Sequence, residues 1–234
     1  MRSLKPLLLA FTSLIAAVVA DAVPLTSLHY QISSGGLNGT LDGVEFSNAT
    51  WSISASGSPE LVGDYAFNLG TEIPFKVIPV NVAPVMTITD TVNSWSFDLE
   101  NSGTLEWFIM EIDYSPMFGP DTTGYGFGLF DPAELLAGTS NTHGFVVLGS
   151  ATFGNLVTGE SFDVSGSSGG GSSGNEGAEF LFPTSNGDLL AFAVFGDAPG
   201  AFSAAAAVPE PAAFAGLAGL GALGWAAGSR RRRR

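Results

Sequence analysis

The sequence predicts an all-β fold, an antiparallel β-sandwich or flattened barrel, and two observations favour this class. Charged residues make up only 13% of the chain, whereas it holds 31 glycines and 18 phenylalanines. A composition rich in aromatic residues and turn formers is typical of strands joined by tight turns. Short runs in which apolar and polar residues alternate also recur along the chain, as expected for strands with one buried face. Ten or more such strands predict two packed layers or a closed sheet.

The predicted strands share this alternation and are bounded by Gly, Pro, Asn, Asp or Ser. In chain order they are residues 28–33, 44–55, 75–80, 85–89, 94–99, 105–113, 125–130, 145–150, 155–164, 178–182 and 189–195. Trp95, Phe97 and Leu99 share one face of their strand, which is therefore half-buried. In the second strand the apolar positions change parity, and this indicates a bulge or a break near residues 48–50.

One helix and two irregular segments interrupt the strand pattern. Asp131 as N-cap and Pro132 at the first position predict a helix that ends at Ala137, before a glycine. Residues 165–177 are nearly pure Ser and Gly and predict a flexible loop within a single domain, residues 23–197. Residues 198–207 are rich in Ala, Gly and Pro without a clear period, and they predict a linker.

The charge of residues 23–208 excludes one class of partner, and the lack of cysteine in the chain excludes several kinds of chemistry. Lys76 is the only basic residue from Val23 to Val208. The 22 acidic residues of the chain, less Asp21 and Glu210, leave that region near −19. Such a surface repels phosphate backbones, so a nucleic-acid partner is not expected. The chain has no cysteine, which excludes disulfides, thiolate nucleophiles and cysteine zinc sites.

The first 22 residues predict a secretory signal peptide. Arg2 and Lys5 precede an apolar run at residues 6–20, and small residues follow, with cleavage expected after Ala22. We therefore expect export through the Sec translocon. The alternative is a membrane anchor that is retained, but the run is short and ends in small residues, which favours removal.

The C-terminus predicts a membrane-inserted tail. An apolar stretch at residues 212–228 lies at the lower limit for a transmembrane helix, about 17 to 25 residues. The basic cluster behind it would stay in the cytoplasm under the positive-inside rule, so the folded domain would lie across the membrane. The alternative is an ordinary tail anchor. The residues that define the tail are Pro209, Glu210, Pro211, Arg230, Arg231, Arg232, Arg233 and Arg234.

The order of these features resembles the PEP-CTERM sorting signal of Gram-negative bacteria, with the resemblance covering residues 208–234. It implies transient insertion in the inner membrane. It also implies cleavage near Pro-Glu-Pro by an exosortase, and release to the cell surface or to the exopolysaccharide matrix of a biofilm. Residues 38–53 resemble the opening hairpin of a β-module found in PEP-CTERM proteins, a module that implies no activity.

Catalytic residues are not evident in the sequence. His29 and His143 are the only imidazoles, and nothing nominates an activated serine near them. Glu111 and Asp113 share a strand face, and paired carboxylates could serve a secreted glycoside hydrolase. Acids two residues apart on a strand more often mark its solvent face, however, and we expect that here. Asp98 and Glu100 form a similar pair.

Two kinds of binding site remain open. The acids from Asp121 to Asp131, with Glu134, could hold a structural Ca²⁺, but they lack the calcium-loop pattern, so we expect no cofactor. Aromatic residues could instead form a sugar-stacking platform, as in a carbohydrate-binding module; they are Tyr30, Trp51, Tyr65, Trp95, Trp107, Tyr114, Phe118 and Tyr125. Trp95 and Trp107 have core parity, which leaves Tyr114, Phe118 and Tyr125 as surface candidates. The sequence thus predicts a non-enzymatic exported protein, with carbohydrate binding as the first alternative and glycoside hydrolysis as the second.

Overall fold

The structure, a computed structural model, describes residues 27–68, 71–137, 143–172, 180–192 and 198–206. These ranges contain thirteen strands: β1 (Leu28–Leu41), β2 (Val44–Gly57), β3 (Gly63–Asn68), β4 (Glu72–Pro79), β5 (Val85–Thr89), β6 (Ser94–Asp98), β7 (Glu106–Asp113), β8 (Thr122–Phe130), β9 (His143–Ser150), β10 (Phe162–Ser172), β11 (Phe180–Thr184), β12 (Gly187–Phe192) and β13 (Ala198–Ala206). A 3-10 turn at Pro59–Leu61 and three short helices, α1 (Ser115–Phe118), α2 (Pro132–Ala137) and α3 (Asn155–Thr158), connect them.

All of these strands pair antiparallel in one large sheet, which confirms the all-β prediction. The order is β3-β4-β7-β8-β9-β10-β13-β1-β2-β5-β6, and β12 pairs with both β1 and β11. The long strand β1 pairs with two different strands along its length, since Leu28 to Ser34 pair with β13 and Asn38 to Leu41 pair with β12. An isolated bridge joins Gly57 at the end of β2 to Val80 just after β4. The sheet is therefore coiled, and the edge of β2 meets the edge of β4 at this point.

The main core lies on the inner face of the coiled sheet. Trp51 on β2 packs against Phe145 on β9 with ring centroids 4.8 Å apart, although these strands are not neighbours. Trp107 on β7 similarly contacts Phe182 on β11 at 5.5 Å. Both tryptophans are almost fully buried. Large aromatic side chains at core parity thus hold opposite parts of the sheet together.

A second, smaller core lies on the opposite face of β4, β7, β8 and β9. Its buried members are Ile73, Phe75, Val77, Phe108, Met110, Ile112, Phe130 and Val146. Because successive side chains of a strand point to opposite faces, these strands carry apolar residues at both parities. This explains why the sequence of β7 reads as a nearly continuous apolar run.

The predicted irregularity in the second strand is confirmed. Along the pairing of β1 with β2, Leu37 lies opposite Ala49 and Gly39 lies opposite Phe46, so the register shifts between them. Asn48 at this point has a φ of 48°, in the left-handed region where asparagine is among the better tolerated residues. The hairpin itself turns through Asp42 and Gly43, both with positive φ, as in the Asp-Gly turns that favour hairpins.

The prediction of a flexible loop at residues 165–177 is wrong for its first part. Residues 165–172 belong to β10, which pairs with β9 on one side and β13 on the other. Gly166 faces Gly149 on β9 and Gly200 on β13, so the backbones approach without side chains between them. Glycine in a strand often marks such a close backbone approach. Residues 173–177 lie outside the described ranges.

The linker predicted at residues 198–207 is also wrong, because residues 198–206 form β13 between β10 and β1. Gly200, Phe202 and Ala204 are buried while Ala201 and Ala205 are exposed. The alternation was present in the sequence, but small residues gave it little contrast in hydrophobicity. The folded domain therefore extends to Ala206 rather than ending at residue 197.

The predicted helix is confirmed as α2, where the backbone N–H of Ala133 donates to Oδ1 of Asp131 at 2.8 Å. The strand predicted at 155–164 is wrong in its first half, which forms α3, and strand β3 was not predicted.

Among the described residues, none of the helices is long and apolar enough to cross a membrane. The predicted signal peptide (1–22) and the apolar segment 212–228 lie outside the described ranges.

Candidate functional site

The sorting tail begins where the sheet ends. Pro209, Glu210 and Pro211, with the arginines at 230–234, lie outside the described residues, which stop at Ala206. Only residues 207–211 separate β13 from the predicted apolar segment. An extended chain of that length spans at most about 20 Å. Any membrane-inserted tail therefore keeps the last residue of the sheet close to the bilayer.

The chain leaves the sheet from a well-paired strand end. Ala206 pairs with Leu28, the first residue of β1, and Leu28 also pairs with Gly57, the last residue of β2. On the other side of β13, the backbone N–H of Ala206 donates to Oγ of Ser161 at 3.2 Å. The strand is thus held on both sides up to its last described residue. A cut within β13 would remove a central strand, whereas a cut after it would leave the sheet complete.

The first acid pair is not the solvent-facing pair that the sequence suggested. Glu111 is fully buried, so the expectation of a solvent face at this position is wrong. Its Oε1 accepts hydrogen bonds from the Tyr125 hydroxyl at 2.8 Å and from the backbone N–H groups of Gly154 and Asn155, both at 2.9 Å. Asp113 lies half-buried and accepts from the backbone N–H and hydroxyl of Ser115. Each acid therefore holds a nearby loop in place.

The surroundings of Glu111 tie β4, β7 and β8 to the loop before α3. Lys76 lies directly opposite Glu111 in the ladder, pairs with Asp64, and has its amino group 5.2 Å from the ring of Phe153. In the described part of the chain, Oε2 of Glu111 has no hydrogen-bond partner. Burial and the neighbouring Glu111 carboxylate raise the pKa of Tyr125 above its usual range. The Tyr125 hydroxyl therefore stays protonated and acts as the donor to Glu111.

The predicted aromatic platform is not assembled on the surface. Tyr125 is fully buried, so its assignment as a surface candidate is wrong. Tyr30, Trp51 and Trp107 are also buried, in the main core. Tyr114 is half-buried and Phe118 is exposed, with their ring centroids 5.8 Å apart. The aromatic residues of β1, β2, β7 and β8 thus fill the interior, as large aromatic side chains usually do.

The acids from Asp121 to Asp131, considered as possible calcium ligands, have other surroundings in the structure. Asp131 caps α2 and also accepts from the Thr104 hydroxyl. The Thr104 hydroxyl and the N–H of Ala133 hold the pKa of Asp131 below its usual range. Asp121 is exposed and has a φ of 60°. Over the described ranges, no three His, Asp or Glu side chains cluster in a way that could hold a metal ion.

The two histidines lie far apart in the sheet order. His29 is exposed on β1, and its pairing partners are Ser56 and Ala205. His143 is half-buried at the start of β9, and desolvation lowers its pKa. Neither position brings an imidazole beside Glu111 or Asp113.

A surface that the sequence did not predict lies on the outer face of β6, β5, β2 and β1, and we call it the hydroxyl face. Pairing aligns Ser96, Thr87, Ser52 and Ser33 in one row across four strands. Its other members, on the same strands, are Thr50, Ser54, Thr89 and Ser94. An open groove on this face is lined partly by Ser33, Thr50, Ser52, Thr87 and Thr89, and its other lining residues are Ser34, Gly35, Trp51, Pro199, Gly200 and Ala201. Each strand showed polar alternate positions in the sequence, but only the register brings the hydroxyls together.

The comparisons with known proteins bear on the tail alone. The family model for the PEP-CTERM protein-sorting motif matches residues 207–233. No curated protein and no solved structure matches the chain. The motif indicates an exported protein that an exosortase processes and that is directed to the cell envelope or surface. The chain is thus an all-β protein that carries a C-terminal PEP-CTERM protein-sorting motif, beginning at the residue after the last strand that the structure describes.

Proposed function

We propose that this chain is a non-enzymatic protein of the bacterial surface or exopolysaccharide matrix, which an exosortase releases from the inner membrane. The observation that carries the proposal is the junction between β13 and the sorting motif. The strand ends at Ala206 and the motif covers residues 207–233. Cleavage near Pro-Glu-Pro therefore leaves all of the described strands in the released protein.

The positions of the acids support a non-enzymatic role. A glycoside hydrolase needs two carboxyl groups that face a bound sugar. Glu111 is buried and its Oε1 accepts three hydrogen bonds from the protein, while Asp113 accepts from Ser115. The proposal needs no cofactor, since the hydrogen bonds to Glu111 and Asp131 fix loops and a helix start.

Processing can be tested in cells with and without an exosortase. We expect the wild-type chain to lose its tail only when the enzyme is present, and Glu210→Ala with Pro211→Ala to prevent this. The matched control is Glu160→Ala, which changes an exposed acid near the exit of the chain without touching the motif. Equal processing of the motif variant and the control, measured by immunoblot and intact mass, would contradict the proposal.

A second candidate function is binding of a neutral polysaccharide, and the hydroxyl face is the observation that favours it. The groove carries serine and threonine side chains in a domain with many acids, so an uncharged polyol suits it better than an anionic polymer. Binding to insoluble neutral glucan would be measured by co-sedimentation. We expect Ser52→Asp with Thr87→Asp to reduce the bound fraction at least several-fold, while Ser47→Asp, on an exposed residue outside the groove, leaves it unchanged. Equal binding by all three proteins would exclude this face.

A further inference from the structure

We propose that one end of the folded domain rests on the lipid bilayer while the tail is in place. This end, here called the exit pole, consists of the 3-10 turn Pro59–Leu61, α1, α3 and the loop 151–154, together with the end of β13. The inference rests on the proposed function, because it requires a tail inserted in the membrane. It adds a surface of the domain and a partner for that surface.

Only a short tether joins the folded domain to the predicted apolar segment of the tail. β13 remains paired up to Ala206, and the predicted apolar segment begins at residue 212. The five intervening residues reach at most about 20 Å when fully extended. A domain of this size on so short a tether cannot move far from the bilayer, and the side from which the chain exits must face it.

Two connecting elements, the 3-10 turn and α3, surround the point where the chain leaves β13. Next to Ala206 on one side is Leu28, and next to Leu28 is Gly57, two residues before the 3-10 turn. On the other side is Ser161, three residues after α3. The turn and α3 pack against each other, with Pro59 Cγ only 3.5 Å from the position of a Cβ on Gly159. They therefore lie together beside the end of β13.

Helix α1 belongs to the same end of the domain. The backbone N–H of Ala151 donates to the carbonyl of Asp121 at 2.9 Å, which places the loop before α3 beside the loop after α1. The Tyr114 ring, at the start of α1, lies next to Gly124 of β8. Helices α1 and α3 are thus linked through the segment that also supplies the N–H groups bound by Glu111.

The elements of the exit pole expose large apolar side chains. Leu61 is 58% exposed, Met117 47%, Phe118 62% and Val157 49%. Each projects from a short turn or helix rather than from a strand, so none contributes to either core. Large apolar side chains at the tips of short elements are suited to the boundary between headgroups and acyl chains.

The charges at the exit pole define the lipid it fits. Glu60, Asp121 and Glu160 are exposed there. Anionic headgroups would repel these carboxylates, so a zwitterionic surface such as phosphatidylcholine is the better partner. The four exposed apolar side chains alone bind a membrane weakly. On a short tether, however, the contact is intramolecular and a high effective concentration compensates for the weak affinity.

The experiment uses the absence of cysteine in the chain. The protein is purified from exporting cells without an exosortase, so that the tail is retained, and is inserted into phosphatidylcholine vesicles. Nitroxide labels are placed through Met117→Cys or Val157→Cys at the exit pole. The control is Val92→Cys, 83% exposed in the turn between β5 and β6. Collision rates with oxygen and with a water-soluble nickel chelate are read by electron paramagnetic resonance.

We expect the oxygen-to-nickel collision ratio at positions 117 and 157 to exceed that at position 92 by at least about threefold. Leu61→Ser with Phe118→Ser should remove most of this difference without changing the melting temperature, since both side chains are exposed. Equal ratios at all three positions on vesicle-bound protein would overturn the inference while leaving the proposed function intact. Failure of the protein to float with the vesicles would overturn both.

An exosortase contact would give a different result. If the two serine substitutions slow processing in cells while the label ratios of the wild-type chain stay aqueous, the exit pole binds the enzyme rather than lipid, and the proposal is wrong. Normal processing together with loss of the lipid-exposed ratio would support lipid contact as the role of this surface.

Discussion

Strands β7 to β9 and strands β10 and β13 belong to the same sheet, but they are stabilised in different ways. The first group is buried between two cores and carries large apolar side chains, at both parities on β7, although glycines occupy alternate positions of β8. The second group carries mostly Gly, Ala and Ser, yet it lies at the centre of the strand order. Burial of large side chains stabilises most of the first group, whereas the second group depends on close backbone approach, which in the first group occurs at glycines such as Gly126 of β8.

The close approach in the second group is visible at two positions. A Cβ on Gly166 would lie 1.8 Å from the carbonyl oxygen of Leu148, and one on Gly200 would lie 2.6 Å from Cβ of Ser168. The hydroxyls of Ser34 and Ser168 are buried and hydrogen-bond each other, and Ser168 also donates to the carbonyl of Ala198 at 3.1 Å. Small residues are therefore required in these strands.

The largest effect is expected from Gly166→Ala. The added methyl group collides with backbone rather than with a movable side chain, so we expect a loss of at least about 3 kcal/mol in the free energy of unfolding. Chemical denaturation of the domain measures it. The matched control is Gly35→Ala, where a Cβ meets nothing within 4 Å and the change should be nearly neutral. Equal stability of the two variants would restore the flexible-loop interpretation of residues 165–177.

The next largest loss of stability is expected at Glu111, a buried carboxylate that accepts hydrogen bonds from three donors. Glu111→Ala leaves three donors without their acceptor in the interior, and we expect a loss of about 3 kcal/mol. Glu111→Gln keeps an amide oxygen for those donors and should lose only about 1 kcal/mol. Denaturation midpoints of the two variants provide the comparison. If the glutamine variant is as unstable as the alanine variant, the negative charge rather than the acceptor geometry stabilises this site.

Replacing Tyr30 and Tyr125 by phenylalanine is expected to change the free energy of unfolding in opposite directions. The Tyr30 hydroxyl is buried, and within the described ranges it has no hydrogen-bond partner, whereas the Tyr125 hydroxyl donates to Glu111. We expect Tyr30→Phe to raise the free energy of unfolding by about 1 kcal/mol, because it removes an unsatisfied polar group. Tyr125→Phe should lower it by about 1 to 2 kcal/mol. Destabilisation by both substitutions would show that Tyr30 has a partner after all.

The contrast between strands with large apolar side chains and strands of small residues also explains which strands could be predicted from the sequence. Trp95, Phe97 and Leu99 alternate with polar residues, so their strand and its buried face followed from the pattern, and the N-cap of α2 followed from Asp131 and Pro132. The strand from Gly200 to Ala206 could not be recognised, because alternation between glycine, alanine and serine has almost no hydrophobic contrast. The burial of Glu111 and the hydroxyl face depend on register across strands, which no single segment encodes.

The smallest effect is expected from calcium. Asp131 is engaged as a helix cap, and Asp121 lies exposed, so the acids of this segment should respond to divalent ions only by screening. We expect millimolar Ca²⁺ and Mg²⁺ to shift the melting temperature equally and weakly at matched ionic strength. A saturating shift unique to Ca²⁺, lost in Asp121→Asn, would reveal a specific site.

The most direct test of the account is the C-terminus of the mature protein from cells that contain an exosortase. The sheet requires β13 up to Ala206, and the sorting motif begins at the next residue. Intact-mass and peptide analysis should therefore place the new C-terminus after Ala206 and find no peptide from residues 217–234. Recovery of the arginine cluster on released protein, or a C-terminus inside β13, would contradict the account.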